Sequence, residues 1–428
     1  MEVIIVGGGL VGSLCAVAMG KRGFNVKLME KRLPLNELKN QKQRSINLAL
    51  SVRGLTALSP YLDVKDKIPM YGRCIHPSLN IQPYSPFNKA IYSVDRSRLN
   101  EVLIEAAASM SNVEIYYNHT LVKCDFEAGF ASFENNGKVL TYNADLIIGC
   151  DGAYSTTRSL MMKEMVMNYE QFYIDHLYAE IKVLPKNNEY AWNPNCLHIW
   201  PKHDYMLIAL PNLDKSFTAT LFMEKERFDD LTTEDQIISF FRSEFPDFIE
   251  TVGEDQIIKD ILNNPRSNLV SIKCFPYAHK KGLIIGDAAH AMVPFYGQGM
   301  NCGFEDVRLL TELLDKNGPL TSTNDLQPVL KEYSEQRKED AHEIVELAMR
   351  NYVEMRHSVT SPLYKIRKKT EDLLHKILPN QIIPLYTMVS FSNIPYHEAT
   401  KQHDFQTKLL IGIGSVAVVL PLIFAWIK

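Results

Sequence analysis

The chain has 428 residues, of which 46% are hydrophobic and 22% charged, as is typical of a folded globular protein with about two or three domains. The formal net charge of −4 gives no support for a nucleic-acid partner, because domains that bind nucleic acids usually carry a basic excess. Seven cysteines without a C-x-x-C pair argue against a disulfide framework and against a zinc site, and they suit a reducing compartment.

The first thirty residues predict a βαβ unit. Glu2–Val6 has the β-branched run of a buried parallel strand, and Leu10–Lys21 has small and apolar residues at helical spacing until Gly23 ends the helix. Asn25–Glu30 is the predicted second strand. Between the first strand and the helix, Gly7–Gly12 (GGGLVG) matches G-x-G-x-x-G, and a compact βαβ unit is the context that this dinucleotide-binding turn requires.

Each glycine of the turn has an expected role. Gly7 permits the tight turn, Gly9 lets the backbone approach a pyrophosphate, and Gly12 allows the helix to pack closely on the strand. The phosphates would lie at the start of the following helix. Glu30 stands at the end of the second strand, where its carboxylate can bind ribose hydroxyls and would repel a 2′-phosphate. The unit therefore favours FAD or NAD over NADP, and a glycine-rich turn that binds nothing is the alternative.

Two later segments favour FAD over NAD. Asp145–Ala153 is a predicted buried strand that ends in Asp151-Gly152. Gly286–His290 (GDAAH) is followed by Pro294 and by Gly297–Asn301 (GQGMN). An Asp at a strand end can reach a ribityl or ribose hydroxyl, and a Gly-x-Gly turn before a helix can stabilise negative charge on a reduced flavin ring. Each segment alone is more often a simple turn, but the three together indicate FAD.

Periodicity outlines the rest of the chain. Alternating residues between Leu197 and Phe222 predict a sheet with one face covered, and Gly282–Gly286 predicts a buried strand that runs into a helix ending near Lys316–Gly318. Val329–Met355 and Tyr364–Ile377 have the periodicity of amphipathic helices. We predict an α/β fold with a Rossmann-like FAD-binding domain (1–72, 101–178 and 279–325), an inserted antiparallel β-sheet substrate domain (73–100 and 179–278), a C-terminal helical region (326–405) and a C-terminal transmembrane helix (409–427).

The predicted transmembrane segment is Leu409–Ile427, which has 19 residues without a charge between Lys408 and Lys428. A helix needs about 20 apolar residues to cross a bilayer core, and Trp426 stands where an interfacial aromatic residue is expected. A buried C-terminal core helix is the alternative. We expect no signal peptide, because the predicted strand Glu2–Val6 leaves no room for one.

These motifs resemble the single-component flavoprotein hydroxylases, the family that includes para-hydroxybenzoate hydroxylase, and within it the branch that hydroxylates kynurenine. The similarity spans nearly the whole chain, and the later stretches are much more specific than the flavin motifs. The matching stretches are Gly7–Leu14, Arg44–Ser51, Ile148–Ser159, Leu197–Pro201, Ser216–Met223, Gly286–Asp306, Asn351–Arg356 and Ile383–Ala399.

The resemblance implies an activity. In this family NADPH reduces FAD, the reduced flavin takes up O2 as a C4a-hydroperoxide, and one oxygen atom is transferred to the ring of L-kynurenine to give 3-hydroxy-L-kynurenine in tryptophan degradation. The protein then positions the ring and excludes water, so we expect no catalytic acid–base residue. The resemblance also implies a single-pass anchor in the mitochondrial outer membrane, with the catalytic part facing the cytosol. It does not place the NADPH site or define an oligomeric state.

The resemblance assigns residues to two ligands. It implies that Arg73 and Tyr84 bind the substrate carboxylate, that Asn351 and Tyr386 make further polar contacts, and that Phe222, Pro294 and Phe295 form an apolar wall. Without it, Arg73 would be taken for a surface arginine and Asn351 and Tyr386 for helix-surface residues. We interpret His290 as structural. The residues implied for FAD are Gly7, Gly9, Leu10, Val11, Gly12, Glu30, Arg96, Asp151, Asp287, Gly297, Gly299, Met300 and Asn301.

Two other functions fit the generic motifs. A membrane-associated flavin monooxygenase acting on a quinone or a polyisoprenoid would share Gly7–Gly12, Asp151 and Asp287 but would not need a residue pair that binds a carboxylate. A catalytically silent flavoprotein could use its anchor as a membrane interaction platform, and it would show no NADPH oxidation stimulated by kynurenine.

Overall fold

The computed structural model describes residues 1–34, 37, 47–320, 322–356 and 361–410. Its strands are β1 (Glu2–Val6), β2 (Asn25–Met29), β3 (Asn47–Leu50), β4 (Ile68–Met70), β5 (Gly72–Ile75), β6 (Asn80–Pro83), β7 (Ile91–Asp95), β8 (Val113–Tyr116), β9 (Thr120–Asp125), β10 (Phe130–Asn135), β11 (Lys138–Asn143), β12 (Leu146–Gly149), β13 (Asn168–Val183), β14 (Cys196–Lys202), β15 (Tyr205–Pro211), β16 (Phe217–Glu224), β17 (Ser267–Phe275), β18 (Ala278–His279) and β19 (Gly282–Ile284).

Its helices are α1 (Leu10–Lys21), α2 (Val52–Leu58), α3 (Arg96–Ala108), α4 (Thr156–Glu164), α5 (Lys225–Asp229), α6 (Glu234–Glu244), α7 (Pro246–Val252), α8 (Glu254–Asn263), α9 (Asp287–His290), α10 (Gly299–Lys316), α11 (Thr323–Arg356), α12 (Pro362–Ile377) and α13 (Leu385–Phe391), and residues 396–410 are also helical. The two predicted amphipathic helices of the C-terminal half are confirmed as α11 and α12.

A six-stranded sheet in the order β18-β19-β12-β1-β2-β8 contains the predicted βαβ unit. Strands β19, β12, β1, β2 and β8 are parallel. Parallel neighbours need a crossover connection, and α1 is the crossover between β1 and β2. The bounds predicted for β1 and α1 are confirmed, and β2 ends at Met29, which places Glu30 just beyond the strand. The predicted buried strand before Asp151 is confirmed as β12.

A seven-stranded sheet in the order β17-β13-β16-β15-β14-β5-β6 holds the alternating segment. The prediction that only one face is covered is wrong. Leu207 and Ala209 pack with the core of α6, α7 and α8, whereas Met206 and Ile208 pack on the other face with residues from α11 and α13. The prediction failed because β15 is apolar on both faces, and the sequence alone does not show that a second layer covers the other face. Two three-stranded sheets, β11-β10-β9 and β3-β7-β4, complete the sheet structure of the described residues.

The segment after β19 also differs from the prediction, which had this strand run directly into a long helix. The strand ends at Ile284, a short helix α9 and a 3-10 turn at Pro294–Tyr296 follow, and α10 begins only at Gly299. The chain cannot stay helical here because Gly286 and Gly297 have φ of 62° and 65°. Pro294 also lacks a backbone donor. The resulting loop places residues 294–300 at a cavity, as described below.

Three further predictions concern the cysteines, the membrane span and the division into domains. All seven cysteines are free, as expected for a chain without a disulfide framework. In the described part of the chain we find no helix with the length and hydropathy of a membrane span. The predicted span Leu409–Ile427 lies outside the described residues from position 411 onward. The division into domains stays a prediction.

A buried network of charged side chains, which we call the α10 network, joins the helices α2, α9, α10 and α11. The Asp306 carboxylate accepts hydrogen bonds from the Gly286 amide (2.7 Å), His290 Nε2 (2.6 Å) and Arg337 Nε (2.7 Å). Glu305, the neighbour of Asp306, accepts from Arg337 Nη1 (3.0 Å) and from Arg53 Nη1 (2.8 Å). A buried charge is tolerated only when its partners satisfy it, so these residues fix the relative positions of α2, α9, α10 and α11.

His290, which we interpreted as structural, is a buried member of the α10 network. Its side chain is 1% exposed and is held between Asp306 and Cys302. Burial works against its charge, but Asp306 and Cys302 outweigh burial and raise the pKa of His290 well above its ordinary value. His290 is therefore a buried cation paired with Asp306, and it does not line the cavity.

The α10 network predicts a large cost for removing one of its charges. We expect Asp306→Asn to lower the free energy of unfolding by about 3–5 kcal/mol, because Arg337 and His290 would remain buried without their counter-ion. The matched control is Asp315→Asn in the exposed ion pair with Arg22, which should cost about 0–1 kcal/mol. Urea unfolding of both variants measures the difference, and equal small losses would show that the network does not stabilise the fold.

Candidate functional site

One elongated cavity of about 800 Å³ runs between the six-stranded and seven-stranded sheets. Most residues assigned to the two ligands line it, so segments far apart in the sequence meet at one site. The assigned residues that line the cavity are Gly7, Gly9, Leu10, Val11, Glu30, Arg73, Arg96, Asp151, Phe222, Asp287, Pro294, Phe295, Gly297, Gly299, Met300, Asn351 and Tyr386. Gly12, Tyr84 and Asn301 lie behind this lining.

The glycine turn has the geometry expected of a phosphate-binding loop. Gly7 has φ of 103°, and a Cβ there would lie 2.5 Å from the Cys150 carbonyl oxygen. A Cβ on Gly12 would lie 1.9 Å from the Gly7 oxygen, so this glycine allows α1 to pack against the turn. A Cβ on Gly9, by contrast, would meet no protein atom within 4 Å and would project into the cavity. The turn therefore leaves a cradle at the start of α1, which fits a pyrophosphate.

Glu30 is held by the protein at the same end of the cavity. Its Oε2 accepts a hydrogen bond from the Gly8 amide (2.7 Å), and its Oε1 accepts from the Arg32 amide (2.9 Å) and from Arg32 Nε (2.8 Å). Burial works to raise the pKa of Glu30, but Arg32 and the Gly8 amide outweigh burial and hold it below its ordinary value. Glu30 is thus an ionised, oriented acceptor, as a ribose diol requires.

The two aspartates assigned to the cofactor differ in their surroundings. Asp151 accepts hydrogen bonds from the Ser155 hydroxyl (2.6 Å) and the Thr157 amide (2.9 Å), so its carboxylate holds the start of α4 as well as lining the cavity. Asp287 is exposed towards the cavity at the start of α9. Both carboxylates line the cavity, and that of Asp287 is the more exposed.

The loop before α10 is braced by Asn301. Its Oδ1 accepts from the Ser51 amide (2.9 Å), and its Nδ2 donates to the carbonyl oxygens of Ala49 (2.8 Å) and Gly297 (2.7 Å). Asn301 therefore acts behind the cavity, by joining β3 to the loop. The first residues of α10, Gly299 and Met300, line the cavity, so the positive end of an 18-residue helix faces it.

A cluster of Arg73 and aromatic rings closes the opposite end of the cavity. The guanidinium of Arg73 lies 4.9 Å from the ring centre of Tyr386, and the Tyr84 and Tyr386 rings stack at 5.2 Å. Arg73 is 7% exposed and contacts Glu354 only at 3.4 Å. Burial works against its charge, yet the neighbouring Tyr386 and Glu354 hold the pKa of Arg73 above its ordinary value. Arg73 is therefore a buried cation and not the surface arginine of the simpler interpretation.

Two polar atoms in this cluster have no well-formed hydrogen bond. Arg73 Nε is buried and meets no partner among the residues that the structure describes, and the buried Tyr84 hydroxyl lies beside Tyr386 without a bond of normal geometry. Burial and Tyr386 raise the pKa of Tyr84 well above its ordinary value, so its phenol keeps its proton and can donate. Buried polar groups are normally paired, so an acceptor from outside the chain fits this end of the cavity. A carboxylate has the shape and charge for a guanidinium edge and a phenol.

Apolar rings form the wall between the two ends. Phe222 and Phe295 meet edge to face at 5.0 Å, and Phe295 stacks on Tyr352 at 4.0 Å. Asn351 is buried and donates from Nδ2 to the Phe295 carbonyl oxygen (2.7 Å). Asn351 thereby fixes the position of this wall in addition to lining the cavity.

Several cavity residues were not found by sequence reasoning. They share one face of the seven-stranded sheet, and the period-2 spacing of β15 and β16 is the pattern that could have found them. That pattern defines a face but does not tell which face meets a ligand. These residues are Met206, Ile208, Leu210, Thr218 and Thr220.

Comparison with known proteins places the chain among flavoproteins. A family model described as FAD binding domain matches residues 1–348. A protein of Anopheles gambiae named kynurenine 3-monooxygenase is 45% identical over 98% of this chain and 89% of its own length. Proteins of the same name from Yarrowia lipolytica and Sus scrofa are 43% and 42% identical, each over 96% of this chain and over 93% and 88% of their own lengths.

Solved structures of similar fold are also oxygenases. The p-nitrophenol 4-monooxygenase PnpA of Pseudomonas putida has a TM-score of 0.67 at 17% identity and covers 95% of this chain and 98% of its own. The 2-methyl-3-hydroxypyridine-5-carboxylic acid oxygenase has a TM-score of 0.66 at 18% identity, over 87% of this chain and 97% of its own. At these identities the similarity supports the fold alone.

The open space at Gly9 predicts a variant that separates cofactor binding from folding. We expect Gly9→Val to change the free energy of unfolding of the cofactor-free protein by about 1 kcal/mol or less, since no protein atom is near. The added side chain fills the cradle, so the Kd for FAD should rise on the order of a hundredfold. Flavin fluorescence on titration measures Kd. Gly12→Ala is the contrasting variant, because its Cβ collides with the Gly7 oxygen and should destabilise the fold itself. Unchanged FAD affinity in Gly9→Val would contradict the assignment.

Proposed function

The chain belongs to the kynurenine 3-monooxygenase family of FAD-binding monooxygenases, and from this premise we propose that it hydroxylates L-kynurenine to 3-hydroxy-L-kynurenine in the cavity described above. It is an FAD-dependent aromatic monooxygenase. NADPH is the electron donor and O2 the second substrate. The product belongs to tryptophan degradation.

The observation that carries this proposal is the buried cation at the closed end of the cavity. Arg73 Nε and the Tyr84 hydroxyl point to a missing acceptor, and kynurenine is an amino acid with a carboxylate. A quinone or a polyisoprenoid has no anion to place there, and the Glu354 carboxylate, 3.4 Å from Arg73 Nη1, leaves the Nε edge of the buried guanidinium unpaired. The clamp formed by Arg73, Tyr84 and Tyr386 therefore favours an amino-acid substrate over both alternatives.

The other residues assigned to substrate orient the ring. With the carboxylate at Arg73, the aromatic ring of kynurenine would lie along Phe222, Pro294 and Phe295, towards the start of α10. Edge-to-face contacts between aromatic rings favour one orientation. Asn351, whose amide fixes the Phe295 backbone, would set the distance between the ring and the flavin end of the cavity.

The residues assigned to FAD form three groups, one for each part of the cofactor. We propose that Gly7–Gly12 and Glu30 hold the adenosine and pyrophosphate, that Arg96, Asp151 and Asp287 lie along the middle, and that 297–301 hold the flavin ring. Bound there and reduced by NADPH, FAD would supply the activation of O2 that hydroxylation of the substrate ring needs. The protein positions the ring and keeps bulk water away from it, and the apolar face of β15 and β16 serves this exclusion.

The chemical test is turnover of the substrate. Purified, FAD-loaded protein should oxidise NADPH faster when L-kynurenine is added, and product analysis should find 3-hydroxy-L-kynurenine. No stimulation would contradict the proposed function and favour the silent flavoprotein, whereas stimulation without hydroxylated product would contradict the hydroxylation of kynurenine.

Variants of the clamp test which residues bind the carboxylate. Arg73→Ala should raise KM for kynurenine on the order of a hundredfold, because a buried charged contact is lost. Tyr84→Phe, which removes one neutral donor, should raise KM about fivefold. The matched control is Arg242→Ala, since Arg242 forms an exposed pair with Glu254 far from the cavity. An Arg73→Ala enzyme with wild-type KM would overturn the assignment.

We also propose that Leu409–Ile427 anchors the protein in a membrane, the mitochondrial outer membrane in this family, with the catalytic part in the cytosol. The proposal is supported by 19 residues without a charge. Deletion from Leu409 onward should move the protein from the membrane fraction to the soluble fraction after cell fractionation. A deleted protein that still sediments with membranes would sink the anchor.

A further inference from the structure

A second buried cluster lies behind the carboxylate clamp, on the opposite face of the seven-stranded sheet. It contains Asp247 of α7, His76, which follows β5, and His198 of β14. His76 Nδ1 lies 2.7 Å from Asp247 Oδ2, and His76 Nε2 lies 2.9 Å from His198 Nδ1. His198 Nε2 lies 2.8 Å from the Asn193 carbonyl oxygen. The four groups thus form one continuous chain of hydrogen bonds.

The partners of His76 have defined roles. The Asn193 carbonyl can only accept, so His198 Nε2 donates to it. Burial lowers the pKa of His198 to about 4, so His198 is neutral and its Nδ1 is an acceptor for His76. Hydrogen bonds from His76 and Trp200 outweigh burial and hold the pKa of Asp247 below its ordinary value, so Asp247 is an ionised acceptor on the other side of the ring.

His76 is thus held on both sides of its ring, by Asp247 and by His198, and the ring stacks on Trp200 at 3.8 Å. Titratable groups face it from each neighbouring element, namely Asp247 from α7, His198 from β14 and Cys74 from β5. A metal ion shared by Cys74, His76 and His198 is a poorer fit. Two Zn–N bonds of about 2.0–2.1 Å at a tetrahedral angle separate the nitrogens by about 3.3 Å, more than the 2.9 Å found.

The position of His76 gives these contacts a consequence for the clamp. β5 and β6 have four residues each and form a hairpin at the edge of the sheet. Arg73 lies on β5, and Tyr84 comes directly after β6. Only β14 pairs with the hairpin on its other side, in the register Arg73 to Leu197 and Cys74 to His198. Because side chains alternate along a strand, Arg73 faces the cavity while His198 and His76 face away from it. His76 thus joins the hairpin to both β14 and α7.

We propose that His76, held between Asp247 and His198, is a positioning residue that fixes the hairpin and so places Arg73 and Tyr84 for the substrate carboxylate. This inference rests on the proposed function. Removing either partner would free one side of the His76 ring and loosen the hairpin. Affinity for L-kynurenine should then fall, while turnover at saturation changes little.

The first test removes the negative charge of Asp247 without changing its shape. In FAD-loaded Asp247→Asn the charged hydrogen bond to His76 becomes a bond to a neutral amide, so we expect the Kd for L-kynurenine to rise about tenfold while kcat changes little. Kd is followed from the change in flavin absorbance on titration. The control is Asp315→Asn, whose ion pair with Arg22 is exposed. A Kd for Asp247→Asn identical to wild type, or a loss of kcat with unchanged Kd, would overturn the proposal.

The second test keeps the proposal falsifiable if Asp247→Asn folds poorly. His198→Asn retains an acceptor oxygen for His76 and should keep wild-type affinity, whereas His198→Leu removes it and should raise Kd about tenfold. Equal affinities in the two variants would overturn the proposal. Wild-type protein that does not bind kynurenine at all would instead refute the proposed function.

The alternative of a bound metal ion is tested without substrate. Metal analysis of the FAD-loaded full chain should find no bound zinc, and one zinc ion per chain would overturn the proposal.

Discussion

The site depends on one buried carboxylate, that of Asp306. This group binds the backbone amide of Gly286, the ring of His290 and the guanidinium of Arg337 at the same time. Its neighbour Glu305 extends the contact to Arg53. Because none of these charges can be left unpaired in the interior, the segments that bear them are held in one arrangement. The loop at 286–301, which is too irregular to be held by helix or sheet hydrogen bonds, takes its position from this network.

The two sheets then define the two ends of the cavity. The parallel sheet presents its glycine turn and Glu30 where β1 and β2 end, as open α/β sheets do with nucleotide ligands. The seven-stranded sheet presents apolar side chains from β15 and β16 and the cation of Arg73 from the edge hairpin. The loop at 294–300 lies between them. A ligand with an anionic end and an aromatic ring therefore has one orientation that satisfies both Arg73 and the apolar wall.

Much of this could be predicted from the sequence, and the failures have physical reasons. Local patterns placed β1, α1 and β2 almost to the residue, because periodicity and the glycine turn act over short distances. The α10 network was not predicted, since Arg53 and Glu305 are 252 residues apart and each has the appearance of a solvated helix residue. The covered second face of β15 was missed because only the packed chain decides what faces a strand. Arg73 and Tyr84 were assigned through family resemblance, and their burial could not be inferred from sequence periodicity.

The central claim is that an amino-acid carboxylate is bound at the closed end of the cavity. The most direct measurement is an experimental structure of the FAD-loaded protein with L-kynurenine. We expect the carboxylate within hydrogen-bond distance of Arg73 and the Tyr84 hydroxyl, with the ring against Phe222 and Phe295. Kynurenine bound with its aromatic ring at Arg73, or outside this cavity, would contradict the account.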